Sequence, residues 1–338
     1  MLAQPNALQW DGTPGHYEVY YLTVTDPATG VGLWIRYTML APLERTGEPA
    51  TCALWLLAMD PRPGSRGTLG RKGTFPIEQL RTEADRFELE IAGATLTDRG
   101  MAGRFEDVRW ELSWDPSPKH YEHVHAGLRR AGIAQTVLVL PHGDVAVRGT
   151  VDLPGERLTL ADAPGGQAHL WGSKHARRWA WVHCNDFEML DGAPARGEMI
   201  DAVSVFVSRG GREVGPNTPV VGRVLGQEFT STSPWRVVRN RSTFALTGWR
   251  FETIAGGRKL IGEVDAERDL LAGVTYHDPD GEPAYCYNSE AASMRVHVYE
   301  RARRVGGWAH LQTLTAPGRA HFEYAQRTPI AGLDLLTT

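Results

Sequence analysis

The feature that most constrains this sequence is an alternation of apolar and polar residues that recurs along nearly its whole length. The first example is HYEVYYLTVT at residues 16–25, followed by the turn DPATG and by GLWIRYTM at residues 32–39. A period of two places successive side chains on opposite faces of a strand, and Gly, Pro, Asp and Asn between such runs favour turns. The pattern therefore predicts an all-β chain of antiparallel strands that close into barrels or sandwiches.

The length of 338 residues predicts two domains, because it is about twice that of a typical single domain. The pattern of the first hairpin returns weakly in the second half, in RWAWVHCNDF at residues 178–187 and IDAVSVFVS at residues 200–208. Residues 161–166, ADAPGG, read as a loop between the halves. We therefore predict two tandem barrels packed together, formed by residues 1–165 and 166–338.

Composition and charge exclude several classes of function. The formal net charge is −4 and the basic residues form no stripe, which argues against nucleic acid as a partner. The start of the chain lacks the pattern of a signal peptide, and no apolar segment has the length of a membrane span. Cys52, Cys184 and Cys286 match neither a disulfide framework nor a zinc motif. We expect a cytoplasmic protein, either a monomer or a homodimer.

The eleven tryptophans exceed what core packing alone tends to use, and three of them lie at residues 169–187, in HLWGSKHARRWAWVHCNDF. If the second half of this segment is a strand, alternation places four side chains on one face: Trp179, Trp181, His183 and Asn185. A barrel interior lined in this way would bind an apolar ligand and fix one polar point of it. In the alternative interpretation the tryptophans are ordinary core residues.

This segment also resembles the signature of the lipocalin family that groups tocopherol cyclases, hydroxyneurosporene synthase and AttH-like proteins. The resemblance rests on the following motifs: Trp171-Gly172, Trp179-x-Trp181, Cys184-Asn185, VRGTVDLPGERLTL at residues 147–160, NSE at residues 288–290 and HFEYAQR at residues 321–327. It implies two lipocalin-like barrels that meet around an apolar cavity and, in several members, an acid-catalysed reaction on an isoprenoid double bond. The chain departs from tocopherol cyclases at His183, where they tend to carry glutamine, and at His175, where they carry asparagine.

A reaction of this kind needs a strong proton donor, a cavity poor in water, and electron-rich surfaces that stabilise a cation. Burial among tryptophans raises the pKa of a carboxylic acid and keeps it protonated near neutral pH. We predict four candidate catalytic residues: His169, His183, Glu198 and Asp201. The predicted ligand-binding residues are Trp34, Arg36, Trp171, His175, Trp179, Trp181 and Asn185. In the alternative, Glu198 and Asp201 are solvated hairpin residues.

Arg36 lies among aromatic residues in the first hairpin, where its guanidinium would hold a ligand carboxylate. Pairing with Glu18 across the hairpin is the other interpretation of Arg36, and the one we prefer from sequence.

KHYEHVH at residues 119–125 offers metal-ligand spacings through His120, His123 and His125, although a solvated loop fits it better. The sequence contains no nucleotide-binding, acyl-hydrolase or zinc-protease motif, so we expect neither a cofactor nor a metal.

The leading hypothesis is an enzyme that hydrates, cyclises or isomerises a lipophilic molecule, isoprenoid-like or polyketide-like, by acid catalysis in a tryptophan-lined barrel pocket. The alternative is a non-catalytic carrier of a hydrophobic metabolite. A third possibility is that the second barrel serves as a surface for a partner.

Overall fold

The computed structural model describes residues 2, 4–65, 67–83, 85–302 and 306–337. Within these ranges the helical elements are α1 (Ala126–Arg130), α2 (Pro234–Val237) and single 3-10 turns at Glu44–Thr46, Ile77–Gln79 and Arg268–Leu270. No helix in these ranges is long and apolar enough to cross a bilayer. The remaining regular structure is β-strand, which confirms the all-β prediction.

Twelve of the described strands form a first, antiparallel sheet. They are β1 (His16–Thr25), β2 (Gly32–Ala41), β3 (Thr51–Met59), β4 (Thr68–Pro76), β5 (Leu80–Thr82), β6 (Glu88–Ile91), β7 (Ala94–Thr97), β8 (Gly100–Phe105), β9 (Val108–Ser113), β10 (Tyr121–Glu122), β11 (Thr136–Leu153) and β12 (Glu156–Gly172). Their order is β4-β3-β2-β1-β12-β11-β9-β8-β7-β6-β5, and β10 pairs with β11. The hairpin predicted at the start of the chain is β1–β2.

Thirteen described strands form a second sheet. They are β13 (Arg178–Cys184), β14 (Glu188–Met189), β15 (Met199–Arg209), β16 (Arg212–Asn217), β17 (Val220–Val224), β18 (Gln227–Ser231), β19 (Arg241–Ala245), β20 (Gly248–Ala255), β21 (Arg258–Asp265), β22 (Ala272–His277), β23 (Pro283–Arg301), β24 (Trp308–Gln326) and β25 (Leu335–Thr337). The main order is β18-β17-β15-β13-β24-β23-β21-β20-β19, with β14, β16 and β22 on its sides and β25 parallel to β22.

Each sheet curves around a core of its own, and a third core lies between the two sheets. Strand β1 contributes to two of these cores: Tyr20 and Leu22 point into the first barrel, and Tyr17 and Tyr21 point toward the second sheet. Strands buried on both faces have near-continuous apolar sequences, such as TCALWLLAM in β3. The fold is thus a pair of lipocalin-like barrels whose shared face is itself a hydrophobic core.

Strand β12 continues past the predicted domain boundary at residue 165. It runs to Gly172 and pairs there with both β1 and β11. Residues 161–166, which the sequence suggested as a loop, lie inside this strand. A glycine within a strand also allows the close approach of another part of the chain, and Gly166 has this role in β12. The change from the first sheet to the second falls at residues 173–177.

Candidate functional site

The aromatic face of β13 lies between the two barrels. Trp179 and Trp181 belong to the core between the sheets, whereas Ala180, Val182 and Cys184 pack inside the second barrel. The predicted alternation is confirmed, but the prediction that the tryptophans line a barrel interior is wrong. The side chains that β13 contributes to the interior are small, and its two tryptophan rings lie on the outer face, where they pack against the first barrel.

Arg36 is the central residue of the face that the first barrel presents. It lies on β2 and is only 6% exposed. Its guanidinium carbon lies 4.1 Å from the ring centroid of Tyr276, 5.2 Å from Trp34 and 5.6 Å from Trp55. Electron-rich ring faces stabilise a cation that has been withdrawn from water. Residues of both barrels therefore form an aromatic cage around one positive charge.

Glu323, on β24, is a carboxyl group near enough to Arg36 to interact with its charge. Trp179 Nε1 donates a hydrogen bond to Glu323 Oε2 at 3.3 Å. The side chain is largely enclosed by protein and keeps some accessible surface. Burial raises the pKa of Glu323 to about 7, although the nearby Arg36 opposes this effect. Near neutral pH a large share of the molecules therefore carries the acid form.

His175 lies in the residues 173–177 that connect the two sheets. Its ring stacks on Tyr17 with centroids 4.2 Å apart and on Trp179 at 5.6 Å. Burial lowers the pKa of His175, although Asp278, whose Oδ1 lies 2.6 Å from Nδ1, opposes this effect. Because the carboxylate partner fixes the proton on Nδ1, the neutral ring carries a lone pair on Nε2. Trp179 thus contacts an acid that keeps much of its proton near neutral pH and a base whose pKa is lowered.

Asp201, on β15, gathers three donors. It accepts hydrogen bonds from Trp181 Nε1 at 3.1 Å and from His183 Nδ1 at 3.0 Å, and His123 Nε2 lies 2.9 Å from its Oδ1. Although burial opposes it, these donors hold the pKa of Asp201 below its usual value. An ionised Asp201 orients His183 and Trp181, and it joins the barrels because His123 belongs to the first half of the chain.

Three of the motifs that carried the family resemblance, Trp179-x-Trp181, NSE and HFEYAQR, lie on β13, β23 and β24. His321 of HFEYAQR lies opposite His183 in the β13–β24 register. Its Nδ1 lies 2.6 Å from Oε2 of Glu290, which belongs to NSE, and its Nε2 lies 3.4 Å from Thr25 Oγ1 of the first barrel. Segments far apart in sequence therefore share one face of the second sheet.

His169 and Trp171 lie on the face of β12 that points away from the second sheet. The N-terminal segment covers the first barrel at this place. His169 Nε2 lies 2.8 Å from Glu18 Oε1, and its Nδ1 lies 2.7 Å from the Pro5 carbonyl oxygen. The Trp171 ring packs against His169 with centroids 4.6 Å apart. Both partners of the imidazole are hydrogen-bond acceptors, so the ring links Glu18 to the N-terminal segment.

The preferred interpretation that Arg36 pairs with Glu18 is wrong. Glu18 lies opposite Met39 in the β1–β2 register and Arg36 lies opposite Tyr21, which places the two charges on opposite faces of the hairpin. Glu18 is fully buried on the inner face, where backbone and side-chain donors surround it. Arg36 is left without a carboxylate partner among the described residues.

Glu198 and Asn185 also have partners other than the tryptophans. Glu198 accepts hydrogen bonds from the backbone N–H groups of Leu225 and Gly226, at 2.6 and 3.3 Å, in the turn between β17 and β18. It is buried, so the alternative of a solvated residue is wrong, and burial raises its pKa. Asn185 Nδ2 donates to Asp144 Oδ1 at 3.0 Å and to the Gly165 carbonyl at 2.9 Å, which ties the two barrels together.

The three histidines of KHYEHVH contact three different groups. His123 approaches Asp201, His120 Nε2 lies 3.5 Å from Glu122 Oε1, and His125 Nδ1 accepts from the backbone N–H of Gly127 at the start of α1. They do not converge on one point.

One group of acidic residues in the described chain has the spacing of metal ligands, namely Asp278, Asp280 and Glu282. Lys174 Nζ lies 2.5 Å from Asp280 Oδ2 and 2.7 Å from Glu282 Oε2, and Arg327 lies 2.7 Å from Asp278 Oδ2. Cationic side chains of the protein thus already occupy this cluster.

Gly166 allows His183 to reach its position. A Cβ atom on Gly166 would lie 2.5 Å from His183 Nε2 and 2.7 Å from Cε1. Because Asp201 holds the other side of the ring, we expect Gly166→Ala to lower the free energy of unfolding by about 1–3 kcal/mol, as overpacking does in other cores. Chemical denaturation of the single and double variants measures this.

The matched control is Gly248→Ala, because a Cβ there would meet its nearest atom at 3.5 Å, an ordinary contact. In the His183→Ala background the Gly166 substitution should have little effect. Equal losses with and without the His183 ring would refute the contact as the cause.

Sequence reasoning missed Glu323, Asp278 and Tyr276. Glu323 lies within the quoted motif HFEYAQR, two residues after His321, so alternation places both on one face. That periodicity was the available signal. Asp278 and Tyr276 had none, because their approach to β13 depends on the pairing of β22 with β23 and on the fold of the loop between them.

Comparison with known proteins finds similarity over most of the chain. Two uncharacterized proteins from strains of Mycobacterium tuberculosis are 28% identical over 315 residues, covering 90% of this chain and 88% of theirs. The solved structure of a Nitrosomonas europaea protein assigned as AttH covers 97% of both chains, at 12% identity and a TM-score of 0.57. That of kievitone hydratase from Nectria haematococca covers 96% of this chain and 91% of its own, at 9% identity and a TM-score of 0.52.

The sequence model described as tocopherol cyclase-like matches residues 79–316, which is well over half of the chain. The chain therefore belongs to the tocopherol cyclase-like family.

Proposed function

We propose that this protein is an enzyme that binds a lipophilic small molecule between its two barrels and hydrates, cyclises or isomerises it by acid catalysis. One observation carries the proposal: burial shifts the pKa of Glu323 up to about 7 and the pKa of His175 down, and both side chains contact Trp179. Titratable groups whose pKa values are pushed apart in this way identify the acid and the base of a site.

The chemistry follows from these protonation states. The Glu323 carboxyl transfers its proton to one carbon of an alkene, and the electron pair of the double bond forms the new C–H bond. The cation left on the other carbon is stabilised by the ring faces of the site. His175 Nε2 then accepts the proton from the water or hydroxyl group that attacks the cation, or from a neighbouring C–H bond. Proton return through solvent restores both groups.

His183 is a weaker candidate than the sequence suggested. Its Nε2 is buried against Gly166 and has no hydrogen-bond partner among the described residues. We therefore assign a positioning role to His183 and Asp201. The pair fixes Trp181 and the position of the two barrels relative to each other, while Glu323 and His175 act on the substrate.

Two comparisons support the reaction class. One solved structure with the same fold is a hydratase, and the family model takes its description from tocopherol cyclases. An isoprenoid-like or polyketide-like substrate, as inferred from the sequence, remains part of the proposal.

The test uses deuterium oxide, because a carboxyl group that exchanges with solvent delivers a deuteron to carbon. Isoprenoid and polyketide alkenes are incubated with the protein, and products are analysed by mass spectrometry for one carbon-bound deuterium. We expect label with the wild type and a rate at least about a hundredfold lower with Glu323→Gln, since a positioned acid contributes this much or more.

Glu300→Gln is the matched control, because Glu300 is exposed on the neighbouring strand β23 and should leave the rate unchanged. Quenching of tryptophan fluorescence reports binding in the same samples. Saturable binding without product or label in the wild type would identify a carrier. Undiminished labelling by Glu323→Gln would remove Glu323 as the acid.

A further inference from the structure

The cage around Arg36 contains a positive charge that the protein itself does not neutralise. Within the described ranges no carboxylate oxygen forms an ion pair with Arg36, and its Nε is buried without a hydrogen-bond partner. Burying a charge without a partner is strongly unfavourable, so native proteins pair such groups. Cation–π contacts with Tyr276, Trp34 and Trp55 lessen this penalty but supply no acceptor for the N–H groups.

Two further buried donors lie in this part of the fold. In the part of the chain that the structure describes, neither Trp34 Nε1 nor Asn288 Nδ2 has a hydrogen-bond partner. Trp34 and Tyr276 are two of the rings of the cage. Asn288 lies opposite Glu323 in the β23–β24 register. A buried cation with unpartnered donors in the same core favours the binding of an anionic acceptor at this place.

Glu323 does not supply that acceptor. It is near enough to Arg36 to feel its charge, yet burial keeps its pKa at about 7, so much of it is uncharged at neutral pH. One of the Glu323 oxygens already accepts a hydrogen bond from Trp179 Nε1. The site therefore combines a fixed positive charge with an acid that holds a proton.

We infer that the substrate is itself an acid, a lipophilic molecule whose ionised carboxylate or acidic enol binds Arg36 while its apolar part lies against the rings. This inference rests on the proposed function, since it names the class of molecule that the same site takes. A planar guanidinium matches such an oxygen pair in geometry as well as in charge. The anion also offsets the charge with which Arg36 lowers the pKa of Glu323. Binding of the substrate therefore favours the protonated form of the acid.

The experiment compares ligands that differ only in charge. Farnesoic, geranylgeranoic and retinoic acids and their methyl esters are titrated at pH 7.5, and quenching of tryptophan fluorescence gives each Kd. We expect the best acid to bind the wild type at least about tenfold more tightly than its ester, because a charge-assisted hydrogen bond contributes about this much. Arg36→Met should abolish the preference by weakening the acid alone, and Arg36→Lys should keep part of it.

The outcomes separate the two proposals. Equal affinities of acid and ester for the wild type would overturn the inference and leave the proposed function standing, because the site would still bind lipophilic molecules. Binding of neither form, for any of the three acids, would count against the site and therefore against both proposals. The wild-type comparison needs no variant, so it decides the question even if Arg36→Met does not fold.

Discussion

Glu18→Gln is expected to lower the free energy of unfolding by about 3–5 kcal/mol, because it weakens several hydrogen bonds to a buried carboxylate, each of which contributes about 1.5–3 kcal/mol. The Glu18 carboxylate accepts hydrogen bonds from the backbone N–H groups of Gln9 and Trp10 and from Tyr20 Oη, and both His16 and His169 lie within 3.0 Å of it. A glutamine amide replaces one of its acceptor oxygens with a second set of donors. Chemical denaturation at pH 7 measures the loss.

The same residue predicts a window of acid sensitivity. Despite the opposing effect of burial, hydrogen bonds from His16 and His169 lower the pKa of Glu18 to about 2. A carboxyl whose pKa is depressed in the folded state stabilises the protein above its ordinary pKa, and this contribution is lost as the pH falls through the folded value. Wild-type stability should therefore fall between about pH 4.5 and pH 2 by roughly 3 kcal/mol more than that of Glu18→Gln.

Two further observations make this prediction decisive. Glu111→Gln is the control, because Glu111 is exposed on β9 of the same sheet and should change stability by less than about 0.5 kcal/mol. Proteolysis near residues 4–10 should increase in the wild type over the same pH range, which provides a readout even if Glu18→Gln does not fold. A variant as stable as the control would contradict the assigned contacts.

Glu323→Gln is expected to stabilise the protein at high pH, by about 3 kcal/mol at pH 8.5 and by almost nothing at pH 4.5. The pKa of Glu323 is about 7 in the folded state because burial disfavours the carboxylate. Between the ordinary value and 7 the folded state binds more protons than the unfolded state, so stability falls as the pH rises through that window. A shift of about 2.5 units corresponds to about 3 kcal/mol. The neutral amide has no such dependence.

The measurement is a series of denaturation curves from pH 4.5 to 8.5 for the wild type, Glu323→Gln and the exposed control Glu300→Gln. The control should follow the wild type at every pH. If the curve of Glu323→Gln also remained parallel to that of the wild type, the pKa of Glu323 would be that of an ordinary carboxyl group. Glu323 would then be ionised at neutral pH and could not serve as the acid.

The sequence was sufficient for the fold class because alternation is a local signal that each strand carries. It could not identify which face of β13 points inward, since both faces are buried and hydrophobicity no longer distinguishes them. Residue size does not distinguish the faces either, because the interior of the second barrel also holds large rings such as Trp249 and Phe251. The glycines of β12 were misread because the sequence does not show whether glycine serves a turn or a close approach.

The candidate site could be predicted from the sequence only in part. His183 and Asp201 were both predicted, and they face each other because β13 and β15 are neighbours. The register of the first hairpin could have excluded a pair between Arg36 and Glu18, since a turn that pairs Thr25 with Gly32 necessarily pairs Arg36 with Tyr21. Glu323 required the pairing of β13 with β24, strands that lie far apart in sequence.

The connector at residues 173–177 has a consequence for how this protein matures. It carries His175, whereas Glu323 lies near the end of the chain and Arg36 near its beginning. Neither half holds Glu323, His175 and Arg36 together, so the docking of the barrels brings these three side chains into one place. Under the proposed function, a chain in which only one barrel has folded would lack the complete site and could not release a reactive cation.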